Sequence, residues 1–361
     1  MPVVTGLAFV ALLLTASRST GSAQAALSAA VPVDGVPGVL DAFRSHSIVM
    51  LAHPHGNEQK ARFNLAVIRH PRFAELVNDI VDEASNSRYQ AVIDRFVRGD
   101  DVPAGELRRV WEDGILVDTT CCLPMYEELY RAVRDLNRTL PPARQIRVLL
   151  GEPPIDWDQV RSYADIAAIE EQRDTHPARV IQREVLAKGR RALVLYGERH
   201  AQRRTERTNF ETATDLGALL EADGTTKIFT VWPQLGSGRP DLDSLQNGAA
   251  RWPVPSLARL RGTSLGAMDY AAFFSSDGRF QIVDGKPRRI DRDQWKPRRM
   301  EDQFDAVLYL GPASGATYQA APASLCRDQS FMDTRFQRMA LVPQLRAQIE
   351  RLKQACAKQP H

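Results

Sequence analysis

Two histidine-bearing turns carry the clearest chemistry in this chain: Ala52-His53-Pro54-His55 and Gly197-Glu198-Arg199-His200. Each follows a hydrophobic run. A third run leads into Glu83, a carboxylate at an apolar strand end, where charge is costly unless it is paired. Neutral imidazoles with an ionised Glu83 could bind a transition metal, lowering the pKa of a bound water and supplying a nucleophile. Without a metal, one histidine could serve as general base for water. The carboxylate would then fix its tautomer and an arginine such as Arg173 would stabilise an oxyanion. Both routes end in hydrolysis, and the residues alone leave both open.

Each candidate has an ordinary alternative. A lone histidine after a strand, such as His53, is commonly a hydrogen-bonded loop residue, and His70 reads as the end of a helix before Pro71. His55 and His200 stand out because each follows a hydrophobic strand in a glycine-containing turn. Arg173 and Asp174 read as a solvated charge pair inside a long helix, worth little. Glu152-Pro153-Pro154-Ile155-Asp156-Trp157 reads as a rigid loop with an aromatic anchor. Asn137-Arg138-Thr139 fits a glycosylation sequon that arises often by chance.

The elements that must position these residues follow from hydrophobic patterning. Short apolar, β-branched runs recur at 47–51, 79–81, 146–150, 192–196, 227–231 and 306–310. Amphipathic stretches lie between them, at 58–69, 89–98, 125–137, 166–188 and 209–221. Asp165 is the expected N-cap of the fourth and Gly189 the residue beyond its end. The pattern predicts an α/β fold, a mostly parallel sheet flanked by helices. In such sheets ligands bind beyond the carboxyl ends of the strands. His53 and His55, Glu83, Glu152 and Asp156, and His200 all follow successive strands onto that rim. From 236 to 299, Gly, Pro, Arg and Asp dominate. This predicts a long irregular insertion or lid before the last strand, with a small hairpin around Asp277-Gly278 and Asp284-Gly285. The expected organisation is a leader over 1–25, an α/β domain over 26–325 and a helical tail over 326–361.

The leader is read from the apolar run Leu7 to Leu14 followed by Ala23-Gln24-Ala25, a small-x-small cleavage pattern, although no Lys or Arg precedes Arg18. It predicts a secreted or periplasmic protein, and the run is too short to span a membrane. With 47 basic and 44 acidic residues among 361, the net charge of +3 gives no basic surface, so nucleic acid is not implied as a partner. The four cysteines, Cys121, Cys122, Cys326 and Cys356, show no zinc-ligand spacing. In an oxidising compartment they allow three disulfide connectivities, Cys326 with Cys356 among them. No Walker loop, His-Glu-x-x-His helix or Gly-x-Gly-x-x-Gly fingerprint occurs. Nucleotide-driven enzymes and dinucleotide dehydrogenases are therefore disfavoured.

Taken in order, four segments resemble the superfamily that joins erythromycin esterase-like proteins, ChaN haem-uptake proteins and Tiki/TraB proteins. They are Leu51-Ala52-His53-Pro54-His55-Gly56-Asn57, Asp79-Ile80-Val81-Asp82-Glu83, Arg173-Asp174 and Tyr196-Gly197-Glu198-Arg199-His200. Stretches such as Arg147 to Trp157 and Phe304 to Pro312 are similar to those of uncharacterised bacterial members. The resemblance spans roughly Ser47 to Pro312. It implies one scaffold with several activities: ester hydrolysis, metal-dependent proteolysis or haem binding. In the first segment Ala52 stands where the family has glycine, and His53 where it has glutamate, altering the site's charge by one unit. The leading expectation is a hydrolase of an ester or amide in a small molecule or peptide. His55, Glu83, Arg173 and His200 are its catalytic candidates, and His53, His55, Glu83 and His200 the ligand candidates for Mn, Co or Zn. The alternatives are a haem- or metal-binding protein without turnover and a catalytically degenerate member.

Overall fold

The computed structural model describes residues 27–203, 215–234, 251–273, 278–283, 286–291 and 297–357. The expected leader over 1–25 and the first part of the helix expected over 209–221 lie outside them. Among these described residues there are ten strands. They are β1 Pro32–Asp34, β2 Ile48–His53, β3 Asp79–Asn86, β4 Arg147–Glu152, β5 Ala192–Gly197, β6 Ile228–Pro233, β7 Ser256–Arg259, β8 Gly278–Val283, β9 Lys286–Asp291 and β10 Ala306–Tyr309. Eight form one sheet in the order β1-β7-β10-β6-β2-β5-β3-β4, and β8 pairs with β9 alone. From β10 to β4 every pairing is parallel; β7 and β1 add an antiparallel edge. The chain is thus α/β, as the apolar runs predict. Within the stretch 236–299, β7 joins the main sheet, and the β8–β9 hairpin flanks the expected Asp284-Gly285 turn, whose two residues lie outside the described ones.

Helices cover both faces, so β2, β5 and β6 are buried throughout and read as unbroken apolar runs rather than alternating ones. The helices used below are α1 Gly35–Ala42, α2 Glu58–Arg69, α3 Phe73–Leu76, α4 Gln90–Arg98, α5 Ala104–Glu112, α6 Pro124–Asn137, α7 Tyr163–Glu170, α8 Thr175–Glu184 and α9 Leu216–Glu221. Side-chain alternation sorts the core into two layers. Val49, Leu51, Ile80 and Leu195 face α2, α4, α5 and α6. Ile48, Met50, Val81 and Tyr196 face α8 and α9. The chain crosses rightward along the first layer from β2 to β3 and β4, then returns along the second to β5 and, beyond β2, to β6. The reversal at β2, β5 and β3 opens a crevice at their carboxyl ends, the usual place for a ligand in such a sheet.

Two local expectations are corrected. The helix expected over 166–188 is broken: α7 ends at Glu170, a turn carries Arg173 and Asp174, and α8 restarts at Thr175. Pro177 explains the break, because in a continuous helix its ring would clash with the carbonyl of Arg173, whereas in the first turn of α8 its missing N–H costs nothing. The N-cap of α7 is Ser162, and Asp165 completes a capping box by accepting from the Ser162 backbone N–H at 2.9 Å. Gly189 does take the left-handed conformation, with φ +62°. The tail holds helices Gln329–Ala340 and Arg346–Ala357, closed by the Cys326–Cys356 disulfide, and Cys121 is bonded to Cys122. Among the described residues no helix is long and apolar enough to cross a membrane.

Candidate active site

β2 delivers His53 at its last position, and the next three residues turn the chain into α2. Gly56 adopts φ +75°, which glycine takes without the steric cost a Cβ would add. Asn57 then caps α2 by accepting from the Lys60 N–H at 2.8 Å. The segment after β10 ties this turn down: the Glu58 N–H donates to the Thr317 carbonyl at 3.0 Å and the Gln319 N–H to the Gly56 carbonyl at 2.8 Å. The His55 turn is therefore held from both sides.

Glu83, on β3 and 2% exposed, is the hub of the site. Its Oε1 accepts from Arg173 Nη2 at 2.8 Å and lies 3.2 Å from His200 Nε2. Its Oε2 accepts from the Gly197 N–H at 2.5 Å and lies 3.5 Å from His53 Nε2. Arg173 reaches on to Glu152 Oε1 with Nε at 3.1 Å, so its guanidinium is shared between two buried carboxylates. On its other side, His200 Nδ1 meets Asp174 Oδ1 at 2.6 Å, and the same oxygen accepts the Leu216 N–H at 2.9 Å. The turn that breaks the expected long helix is what aims both Arg173 and Asp174 inward.

Protonation follows from this arrangement. Burial penalises the Glu83 carboxylate, but His200 and Arg173 outweigh it and hold the group well below the ordinary carboxylate range. Burial likewise opposes a charge on His200. Glu83 and Asp174 overcome it and raise the ring to about 9, so His200 is an imidazolium at neutral pH. Two carboxylates, Glu83 and Asp174, thus face two cations, Arg173 and His200. Glu152 is left over: burial, only partly offset by Arg173, raises it to about 7, and its Oε2 has no hydrogen-bond partner.

His53 is the opposite case. Burial and the neighbouring His55 push it down to about 3 despite Glu83, so the ring is neutral. It is 4% exposed, yet neither ring nitrogen makes a hydrogen bond, and His55 Nδ1 is also without a partner. Such orphaned nitrogens are costly unless something binds them. Ligand atoms of His53, His55 and Glu83 lie within 4.8 Å of one another. Two imidazoles, that of His53 held neutral by burial, and one ionised carboxylate are a donor set suited to zinc, manganese or cobalt. The residues present fit such an ion.

The predicted residues divide accordingly. His53, His55 and Glu83 converge; His200 belongs to an adjoining dyad with Asp174; Arg173 binds Glu83 and Glu152. Asp156 stands apart in a half-exposed ion pair with Arg88 at 2.8 Å. His70 closes α2 as expected. Asn137 is buried, its amide donating to the Val97 and Ile146 carbonyls at 2.9 and 2.8 Å, a structural clamp rather than a surface sequon. Trp157 is the expected anchor, its indole N–H donating to the Asp113 carbonyl at 2.8 Å. Reasoning from sequence missed the part played by Asp174, and it missed Asp82, Lys60 and Tyr126 altogether. Asp82 accepts from Ser85 at 2.5 Å and Tyr130 at 2.6 Å, and burial raises it to about 6. Lys60, 1% exposed, has its ammonium group pushed down to about 7 by burial.

No family model matches the sequence, and no curated protein is matched by it. Solved structures do match. A succinoglycan biosynthesis protein superposes with a TM-score of 0.56 at 9% identity, covering 81% of this chain and 96% of that one. A protein of Bacillus cereus gives 0.51 at 11% identity, covering 79% and 96%. The fold is that of these two proteins. A histidine-to-asparagine variant of the erythromycin esterase EreC in its open conformation is also matched, with a TM-score of 0.46 at 11% identity over 76% of this chain and 93% of that one.

Proposed function

We propose that the protein is a hydrolase of an ester or amide bond in a small molecule or peptide, assisted by a divalent metal. The observation that carries this reading is the convergence of His53, His55 and Glu83, with neither nitrogen of a buried, neutral His53 making a hydrogen bond. These three residues would hold the ion, which when bound acidifies a water and so supplies a nucleophile at neutral pH. Arg173 and the Gly197 N–H keep Glu83 ionised and fixed in place. His200 holds a proton between Asp174 and Glu83, suiting it to act as general acid toward a leaving group. The depth of His53 supports a single ion over haem, whose porphyrin needs an open face beside its ligand. His53, standing where the superfamily it resembles has glutamate, then reads as a changed ligand rather than a lost one.

The test is hydrolysis by the purified protein of a panel of esters and peptides, with and without Mn, Co and Zn. Metal-stimulated turnover that disappears in a His55→Ala, His200→Ala double variant is expected. Turnover indifferent to both the metal and the double substitution would overturn the proposal.

A further inference from the structure

His53 continues the side-chain parity of Val49 and Leu51, and Asp82 that of Ile80, so both face the layer covered by α2 and α6. There they line a cavity of about 20 Å³, together with Ala61, Asn64, Tyr126 and Leu129. That volume accommodates one water, and a buried water needs two to four polar partners. The walls offer them. Neither His53 nitrogen nor the Tyr126 hydroxyl has a hydrogen-bond partner, although the residues are 4% and 2% exposed. Asn64 has its Oδ1 occupied by the Lys60 amine at 2.5 Å, which leaves its Nδ2 as the group to donate. Asp82 has its Oδ2 occupied by Ser85 and Tyr130, which leaves Oδ1 to accept.

We propose that this cavity is a built water site and that its water ties His53 to Tyr126, fixing which ring nitrogen carries the proton while Nε2 faces Glu83. Tyr126 is then a positioning residue, acting through water on an imidazole with which it makes no direct hydrogen bond. Histidines that hold a metal usually donate the remaining N–H to such a partner, and loss of the partner weakens the metal by about 10- to 100-fold. The functional consequence rests on the metal reading above, but the water site itself does not.

Tyr126→Phe removes only the hydroxyl. In the metal-free protein, ring-nitrogen NMR of His53 is expected to change from one tautomer toward a mixture, and zinc affinity, measured against a competing chelator, is expected to fall at least about tenfold. Ala61→Val fills the cavity while leaving every polar group in place, and the same change at His53 is expected. A merely structural tyrosine would leave both readouts unmoved. His53 signals identical to wild type in both variants would overturn the proposal, whatever the zinc result. If wild type binds no zinc, the metal reading fails on its own, and the NMR comparison still decides the water site.

Discussion

Replacing Asp174 by Asn tests the charge balance of the site while keeping its shape. The amide oxygen can still accept from the Leu216 N–H, but it no longer carries the charge that favours the His200 imidazolium. Folding raises His200 from 6.5 to about 9. The protonated ring is therefore favoured by the folded state, so its stabilisation is fully present below about pH 6.5 and is lost as pH rises through about 9. At about 1.4 kcal/mol per pH unit, that interval amounts to about 3 kcal/mol. A hydrogen bond to a charged partner contributes about 1.5–3 kcal/mol, so Asp174→Asn should lower the His200 midpoint by about one to two pH units. The assay is an NMR pH titration of the His200 ring, paired with urea unfolding at pH 6 and pH 9. Wild type should lose stability between the two, and the variant distinctly less. A wild-type midpoint near 6.5, or one that Asp174→Asn leaves in place, would refute the reasoning.

Arg173→Leu strands Glu83 and Glu152 without their shared cation. The expected cost is about 3–5 kcal/mol in denaturant unfolding, and a cost below about 1 kcal/mol would mean the carboxylates are not held as described. Burial raises Glu152 to about 7, so the folded state favours its protonated form and stability from this group falls as pH climbs from 4.5 through 7. Glu152→Gln should flatten that part of the stability profile and leave the protein no less stable at pH 8. The Cys326–Cys356 disulfide spans a separation of 30 residues, for which loop closure contributes about 4 kcal/mol. Its reduction should make the tail beyond 328 a site of limited proteolysis while the sheet stays folded, as read by circular dichroism.

Six of the eight strands in the main sheet were legible because they are buried on both faces and spell continuous apolar runs. β1 and β7 were not: three and four residues long, with β1 opening on Pro32 and β7 following Pro255, they carry too little pattern. The rim of the sheet could be read as the site because strand ends alone predict it. Asp174 could not be recognised, since its burial arises from contacts with His200 and Leu216, far along the chain. The sequence does carry one signal of the turn that holds it, Pro177, which forbids a continuous helix through Arg173. Lys60 and Tyr126 look like ordinary members of amphipathic helices, and only the fold, which brings both near His53, gives them a role. His53 itself was visible as a departure from the family pattern, but its neutral, unpartnered state follows from burial that composition does not reveal.

The most direct test of the account is the metal content of the purified protein after dialysis against zinc or manganese, compared between wild type and His53→Ala. The account predicts one tightly held ion per wild-type chain and its loss from the variant, with His200 and Asp174 still paired. Wild type that holds no ion, or a variant that holds it as firmly, would contradict the central claim.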